Sequence, residues 1–140
     1  MNRYDKYKST ISTMVNNFPM AFAFSNEQFE KAKEKLGVTS KDELLSTPSG
    51  GMIRKIDKQA FTDMHKEMDR LHEEMMKDDI ALCQGFIYEL GNHEYIITYD
   101  PSDTLDCFGL DIEKINNDER LKRIFKKAHD HYMKWQQENY

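Results

Sequence analysis

Two cysteines, three prolines, six glycines and one tryptophan are all that this 140-residue chain holds of those types. Cys83 and Cys107 form no CxxC pair, which excludes a disulfide framework and a zinc ribbon and leaves two reduced thiols of a cytosolic protein. No run approaches the roughly 20 apolar residues of a membrane span. The opening MNRYDKYKST lacks an apolar h-region, so no signal peptide is expected. GxSxG, a glycine-rich dinucleotide fingerprint and the phosphate-loop spacing are also missing. Apolar residues make up only 39% and charged residues 32%. Disorder is nevertheless excluded, because eight Phe, seven Tyr and nine Met recur at regular intervals.

The net charge of −5 is concentrated. Between Asp100 and Glu119 stand Asp100, Asp103, Asp106, Asp111, Glu113, Asp118 and Glu119 against Lys114 alone. That stretch carries a net −6, so the rest of the chain sums to about +1. A local acidic surface repels nucleic acid and attracts basic protein surfaces. Direct nucleic-acid binding is therefore not expected here.

Taken in order, Tyr4, Tyr7, Ile11, Met14, Val15 and Phe18 have helical spacing and predict a helix over 3–17. Met20–Phe24 reads as a short buried strand. Ser25 with Gln28 opens a helix that Gly37 stops, and Ser40 with Glu43 opens a short one to Leu45. Ser46–Gly51 is a plain turn, and Met52–Ile56 a strand. Asp57 caps a segment whose stripe Phe61, Met64, Met68, Leu71, Met75 misses at Asp78-Asp79 and resumes at Leu82, Phe86, Ile87 and Leu90. It reads as one helix over 58–90 or as two with a kink near Lys77-Asp78-Asp79. Gly91-Asn92 ends it. Tyr95–Tyr99 is the strongest strand signal, Asp100-Pro101 opens a short helix stopped by Gly109, and Asn116 with Glu119 opens the last helix. The expectation is an α+β, mostly helical single domain over 1–140, with one long central helix and a small two- or three-stranded sheet.

Several constellations suggest chemistry. Gly91-Asn92-His93-Glu94 is a metal-site motif of calcineurin-like metallophosphoesterases, and Asp63/His65 and His129/His131 mimic that family's other ligand pairs. Both pairs fall at i and i+2 of helical patterns, where side chains do not face one another. A simpler metal site would use His93, Glu94 and Asp100, with Asp103 beside them. Capping accounts for both aspartates without a metal. Cys83 lies in an apolar stripe that disfavours a thiolate. No self-consistent catalytic set emerges, and no cofactor is expected.

The blocks AFAFSNEQFEKAKEKLGV (21–38), GGMIRKIDK (50–58) and YELGNHEYIITYDPSDTLDCFGL (88–110) resemble a family of small phage and prophage proteins classed as a domain of unknown function. The resemblance implies a phage gene product acting in the cytoplasm of a bacterial host, and transfers no catalytic residue. The expected function is a non-catalytic interaction protein, an anti-CRISPR-like inhibitor of a host defence effector. Its partner is a protein with a basic, nucleic-acid-binding surface. Contacts are expected from Asp100, Asp103, Asp106, Asp111, Glu113 and Asp118, with Tyr95 and Tyr99 as aromatic anchors. The alternatives are a metal-dependent phosphoesterase or nuclease built on His93, Glu94 and Asp100, and a module that dimerises through the Phe61–Met75 stripe.

Overall fold

The computed structural model describes residues 1–139. Among them are eight α-helices and one antiparallel pair of strands, so the α+β, mostly helical class holds. The helices are α1 (Arg3–Asn16), α2 (Asn26–Leu36), α3 (Lys58–Lys77), α4 (Asp79–Asn92), α5 (Tyr95–Thr98), α6 (Ser102–Asp106), α7 (Ile112–Asn116) and α8 (Glu119–Asn139); the strands are β1 (Leu44–Ser46) and β2 (Met52–Arg54). The chain divides into two compact units, residues 9–70 and residues 1–8 with 71 onward.

In the unit spanning 9–70, α2 is capped as its sequence demands. The Ser25 hydroxyl accepts from the Gln28 N–H at 3.2 Å, and Gly37 takes the left-handed φ of 70° that closes the helix. Ser40 and Glu43 form a complete capping box on a single 3₁₀ turn. The chain then runs straight into β1, so Leu44 and Leu45 are strand rather than helix. Leu45 pairs with Ile53 across the hairpin, whose turn is closed by Thr47 accepting from the Gly51 N–H. The strand expected over Met20–Phe24 shrinks to one bridge, Ala21 against Met52. Asp57 does not cap α3; Arg54 grips its carboxylate through Nε at 2.7 Å. Ala21, Ala32 and Leu36 are the buried centre of this unit.

The other unit is built around α4. Leu82, Phe86 and Leu90 are fully buried, each four residues from the next along one face. Against them pack Tyr4 of α1, Leu105 of α6, Phe108, Ile115 of α7, and Ile124 and Ala128 of α8. Phe86 meets Phe108 and Phe125 edge-on, with centroids 4.8 and 5.3 Å apart. Gly85 lets Tyr4 lie directly on the helix: a Cβ there would stand 2.8 Å from the Tyr4 ring and 2.9 Å from Phe108.

The 58–90 pattern resolves into two helices, broken at Asp78. This residue leaves helical geometry (φ −89°, ψ 106°), and its Oδ1 accepts from the Ile80 and Ala81 N–H groups at 3.0 and 3.1 Å. Arg3 clasps the same carboxylate with two contacts of 3.1 and 3.0 Å. Tyr95–Thr98, expected as a strand, is one helical turn set between Glu94 and Tyr99, both at φ 54°. Its backbone bonds within the turn, by Tyr99 N–H to the Tyr95 carbonyl at 2.7 Å, and across the unit, by Ile96 N–H to the Tyr132 hydroxyl at 3.2 Å. No sheet edge is needed, and β-branched composition yields to tertiary contact. The last helix is opened by Asp118, which accepts from the Leu121 N–H at 3.0 Å, rather than by Asn116, which ends α7.

Two measurements check this packing. Gly85→Ala should be destabilising, because overpacking costs about 1–3 kcal/mol against at most about 1 kcal/mol gained in helix propensity; a rise in the denaturation midpoint would contradict the close approach. Asp78→Ala should cost about 1 kcal/mol at neutral pH. The Ala81 N–H and the Arg3 guanidinium hold the Asp78 carboxyl below the usual carboxylate range. Its contribution is therefore present above that range and lost as pH falls through the folded value. Parent and variant melting curves should converge in acid and separate toward neutrality.

Candidate functional site

The C-terminal turns of α4 carry an acid on the apolar face. Glu89 follows Leu82 and Phe86 on the buried stripe and is only 1% exposed. A carboxylate in such a place must be fully hydrogen-bonded, and this one is. Its Oε1 accepts from the Tyr4 hydroxyl at 2.8 Å and from Lys8 Nζ at 3.1 Å. Its Oε2 accepts from Asn92 Nδ2 at 3.3 Å and faces Cys107 Sγ at 3.6 Å and His93 Nε2 at 3.3 Å. The Glu89 carbonyl takes the hydroxyl of fully buried Thr104 at 3.1 Å, which docks α6 on the end of α4.

Electrostatics follow from this shell. Burial pushes the Glu89 carboxyl up, but hydrogen bonds from Tyr4, Lys8 and Asn92 and the Lys8 charge outweigh it, and the group is held below the ordinary value. The same contact, added to burial, drives the Tyr4 phenol far upward. Cys107 is raised by burial and by the Glu89 carboxylate, which disfavours its thiolate, and its Sγ lies 3.3 Å from His93 Nε2. Cys83 is raised by burial as well.

Glu89, His93 and Cys107 present three potential ligand atoms within 4.8 Å of one another, the one such group among the described residues. His93 is thus a member of a clustered site, whereas Glu94 and Asp100 join it in no such group. Glu94 occupies the left-handed position before α5. Asp100 accepts from the Ser102 N–H at 2.9 Å and its hydroxyl at 2.6 Å, as expected of a helix-opening residue. Asp63 pairs with Gln59 along α3, and His129 meets the Tyr95 hydroxyl at 3.0 Å; neither pair forms a metal cluster. Glu89 had a sequence signal, an acid inside the stripe and four residues before His93. Its link to Tyr4 and Cys107 needs the fold.

The acidic stretch separates into two kinds of carboxylate. Asp100, Asp111 and Asp118 accept backbone N–H groups at helix starts. Asp103, Asp106 and Glu113 are exposed and take part in no ion pair or side-chain hydrogen bond among the described residues. Asp111, Glu113 and Asp118 rim one shallow depression with Leu110 and Leu121. Tyr99 and Ile97 are 61% and 72% exposed just ahead of the acids. Tyr95 is half-buried, stacked edge-on against Tyr99, His129 and Tyr132. The cations of α8 are partly neutralised within the chain, Arg120 by Asp79 at 2.7 Å and Lys126 by Asp130 at 2.9 Å.

Tyr4→Phe should lower the unfolding free energy by about 1.5–3 kcal/mol, because it removes a buried hydrogen bond to a charged group. A loss below about 0.5 kcal/mol in chemical denaturation would show that the Glu89 shell is not structural.

The chain belongs to a family of unknown function (DUF7659), whose model matches residues 3–131. No curated protein and no solved structure matches it.

Proposed function

We propose that this is a non-catalytic interaction protein whose acidic segment Asp100–Glu119 binds a basic, nucleic-acid-handling surface of another protein. The observation that carries this reading is the separation of carboxylates. Asp103, Asp106 and Glu113 serve no cap and no ion pair among the described residues, and they stay exposed at a net cost in self-repulsion. Exposed Ile97 and Tyr99 supply adjacent apolar contact of the kind that anchors an interface. With the resemblance to small phage and prophage proteins, the reading extends to a bacterial host cytoplasm. The target class is then a defence effector such as a CRISPR nuclease, whose nucleic-acid channel is the basic surface to be occupied. Steering by opposite charge speeds association and weakens as salt rises.

The test is target cleavage by a panel of purified RNA-guided nucleases, at low and high salt, with the parent and the triple variant Asp103→Lys/Asp106→Lys/Glu113→Lys. The parent should inhibit at least one nuclease, less so at high salt. The triple variant should lose inhibition while keeping the parental melting temperature, since none of the three supports the fold. Undiminished inhibition by the variant, or none by the parent, contradicts the assignment. Charge reversal at the capping residues Asp111 and Asp118 should instead cost about 1 kcal/mol of stability each.

A further inference from the structure

We infer that Glu89 Oε2, His93 Nε2 and Cys107 Sγ form a binding site for one zinc-like transition-metal ion, with a fourth position open to solvent. The inference stands apart from the acidic surface, since Asp100–Glu119 lends it only Cys107.

Geometry is the first argument. A tetrahedral ion with metal–nitrogen and metal–oxygen bonds of about 2.0–2.2 Å and a metal–sulfur bond of about 2.3 Å sets its ligand atoms about 3.3–3.6 Å apart. The three separations in the protein are 3.3 Å from Glu89 to His93, 3.3 Å from His93 to Cys107 and 3.6 Å from Cys107 to Glu89. The Glu89–His93 and Glu89–Cys107 edges are already at the required length, and the His93–Cys107 edge need lengthen by only about 0.2–0.3 Å to reach the nitrogen–sulfur separation of a tetrahedral ion. Glu89 and His93 sit four residues apart at the end of α4, which places them on one face. Cys107 arrives at the end of α6, docked by the bond from Thr104 to the Glu89 carbonyl.

The second argument is the supporting shell. A ligating carboxylate works best when its other oxygen is held, and the Glu89 Oε1 is held by Tyr4 and Lys8. Oε2 accepts from Asn92 Nδ2 at 3.3 Å on one side and faces the imidazole and the thiol on the other. Burial is graded across the site: Glu89 is enclosed, His93 is about a third exposed at its side chain, and Cys107 reaches the surface. An ion has an entry route, and the open side leaves a position for water or an exogenous ligand.

Ligand chemistry selects the metal. One thiolate, one imidazole and one carboxylate suit Zn²⁺, Co²⁺ or Ni²⁺, and do not suit Mg²⁺ or Ca²⁺, which take oxygen ligands. Binding releases the Cys107 proton to solvent, forming a metal–sulfur bond with no change of oxidation state. The resulting thiolate and carboxylate balance the two charges of the ion. The competing account treats the trio as hydrogen bonds joining α4 to α6.

The experiment uses the full chain, stripped with a chelator and kept reduced by a phosphine, titrated with Co²⁺ and then Zn²⁺. One equivalent of Co²⁺ should develop a thiolate-to-cobalt charge-transfer band and the intense visible absorption of a tetrahedral site, and Zn²⁺ should bleach both. Cys107→Ser should abolish the charge-transfer band, and His93→Gln should weaken the affinity by at least the roughly 10–100-fold that loss of even an outer-shell partner costs. Both side chains lie on the open side of the site, so these variants stay folded, which circular dichroism verifies. Cys83→Ser should bind like the parent. No saturable spectrum in the parent, or a parental spectrum in Cys107→Ser, overturns the site and leaves the hydrogen-bonded trio.

Discussion

A carboxylate sealed inside an apolar helix face is the constraint on which one half of this protein is arranged. Glu89 is only 1% exposed, so its lone pairs are met by protein groups. The partners come from three separate segments: Tyr4 and Lys8 from α1, Asn92 and His93 from the end of α4, and Cys107 from the end of α6. Truncating any one of them leaves a buried acceptor short. The cluster therefore ties the three segments together at one buried point of the unit. Gly85 serves the same end, since the Tyr4 ring reaches Glu89 only by lying against bare backbone.

Outside that hub the fold rests on ordinary burial. Leu82, Phe86 and Leu90 carry the apolar seam of α4, and α8 returns Ile124 and Ala128 to it. Capping then fixes where each helix begins. Asp78 ends α3 and starts α4, Asp111 starts α7, and Asp118 starts α8. Several of the chain's acids are thus spent on backbone N–H groups. Within the segment, Asp103, Asp106, Glu113 and Glu119 are exposed and take part in no ion pair or side-chain hydrogen bond among the described residues, and this division sharpens what the bare acidity of the segment conveys.

Much of this was legible in the residues because the signals were local. Ser25 and Gly37 bracket α2, Ser46–Gly51 makes a turn, and the stripe from Phe61 breaks where Asp78 caps. Two errors have a common cause. Tyr95–Tyr99 has β composition, yet its polar groups find Tyr132 and His129 across the unit, and among the described residues no strand lies beside it to reward extension. Asn116 and Asp118 are both acceptable caps a few residues apart, and only packing of Ile115 against the core selects Asp118. The site was half visible. His93 stood out as the histidine of a metal-like motif, but its neighbours in sequence, Glu94 and Asp100, turn to other work. Its partners in space are one turn back and one helix away.

The most direct test of the central claim is a double-mutant cycle between Tyr4→Phe and Glu89→Gln, followed by chemical denaturation. If the buried carboxylate ties α1 to α4, the two losses are coupled by about 1–2 kcal/mol, with the double variant less destabilised than the sum of the singles. Strict additivity would mean that the two residues stabilise the protein independently, and would contradict the account.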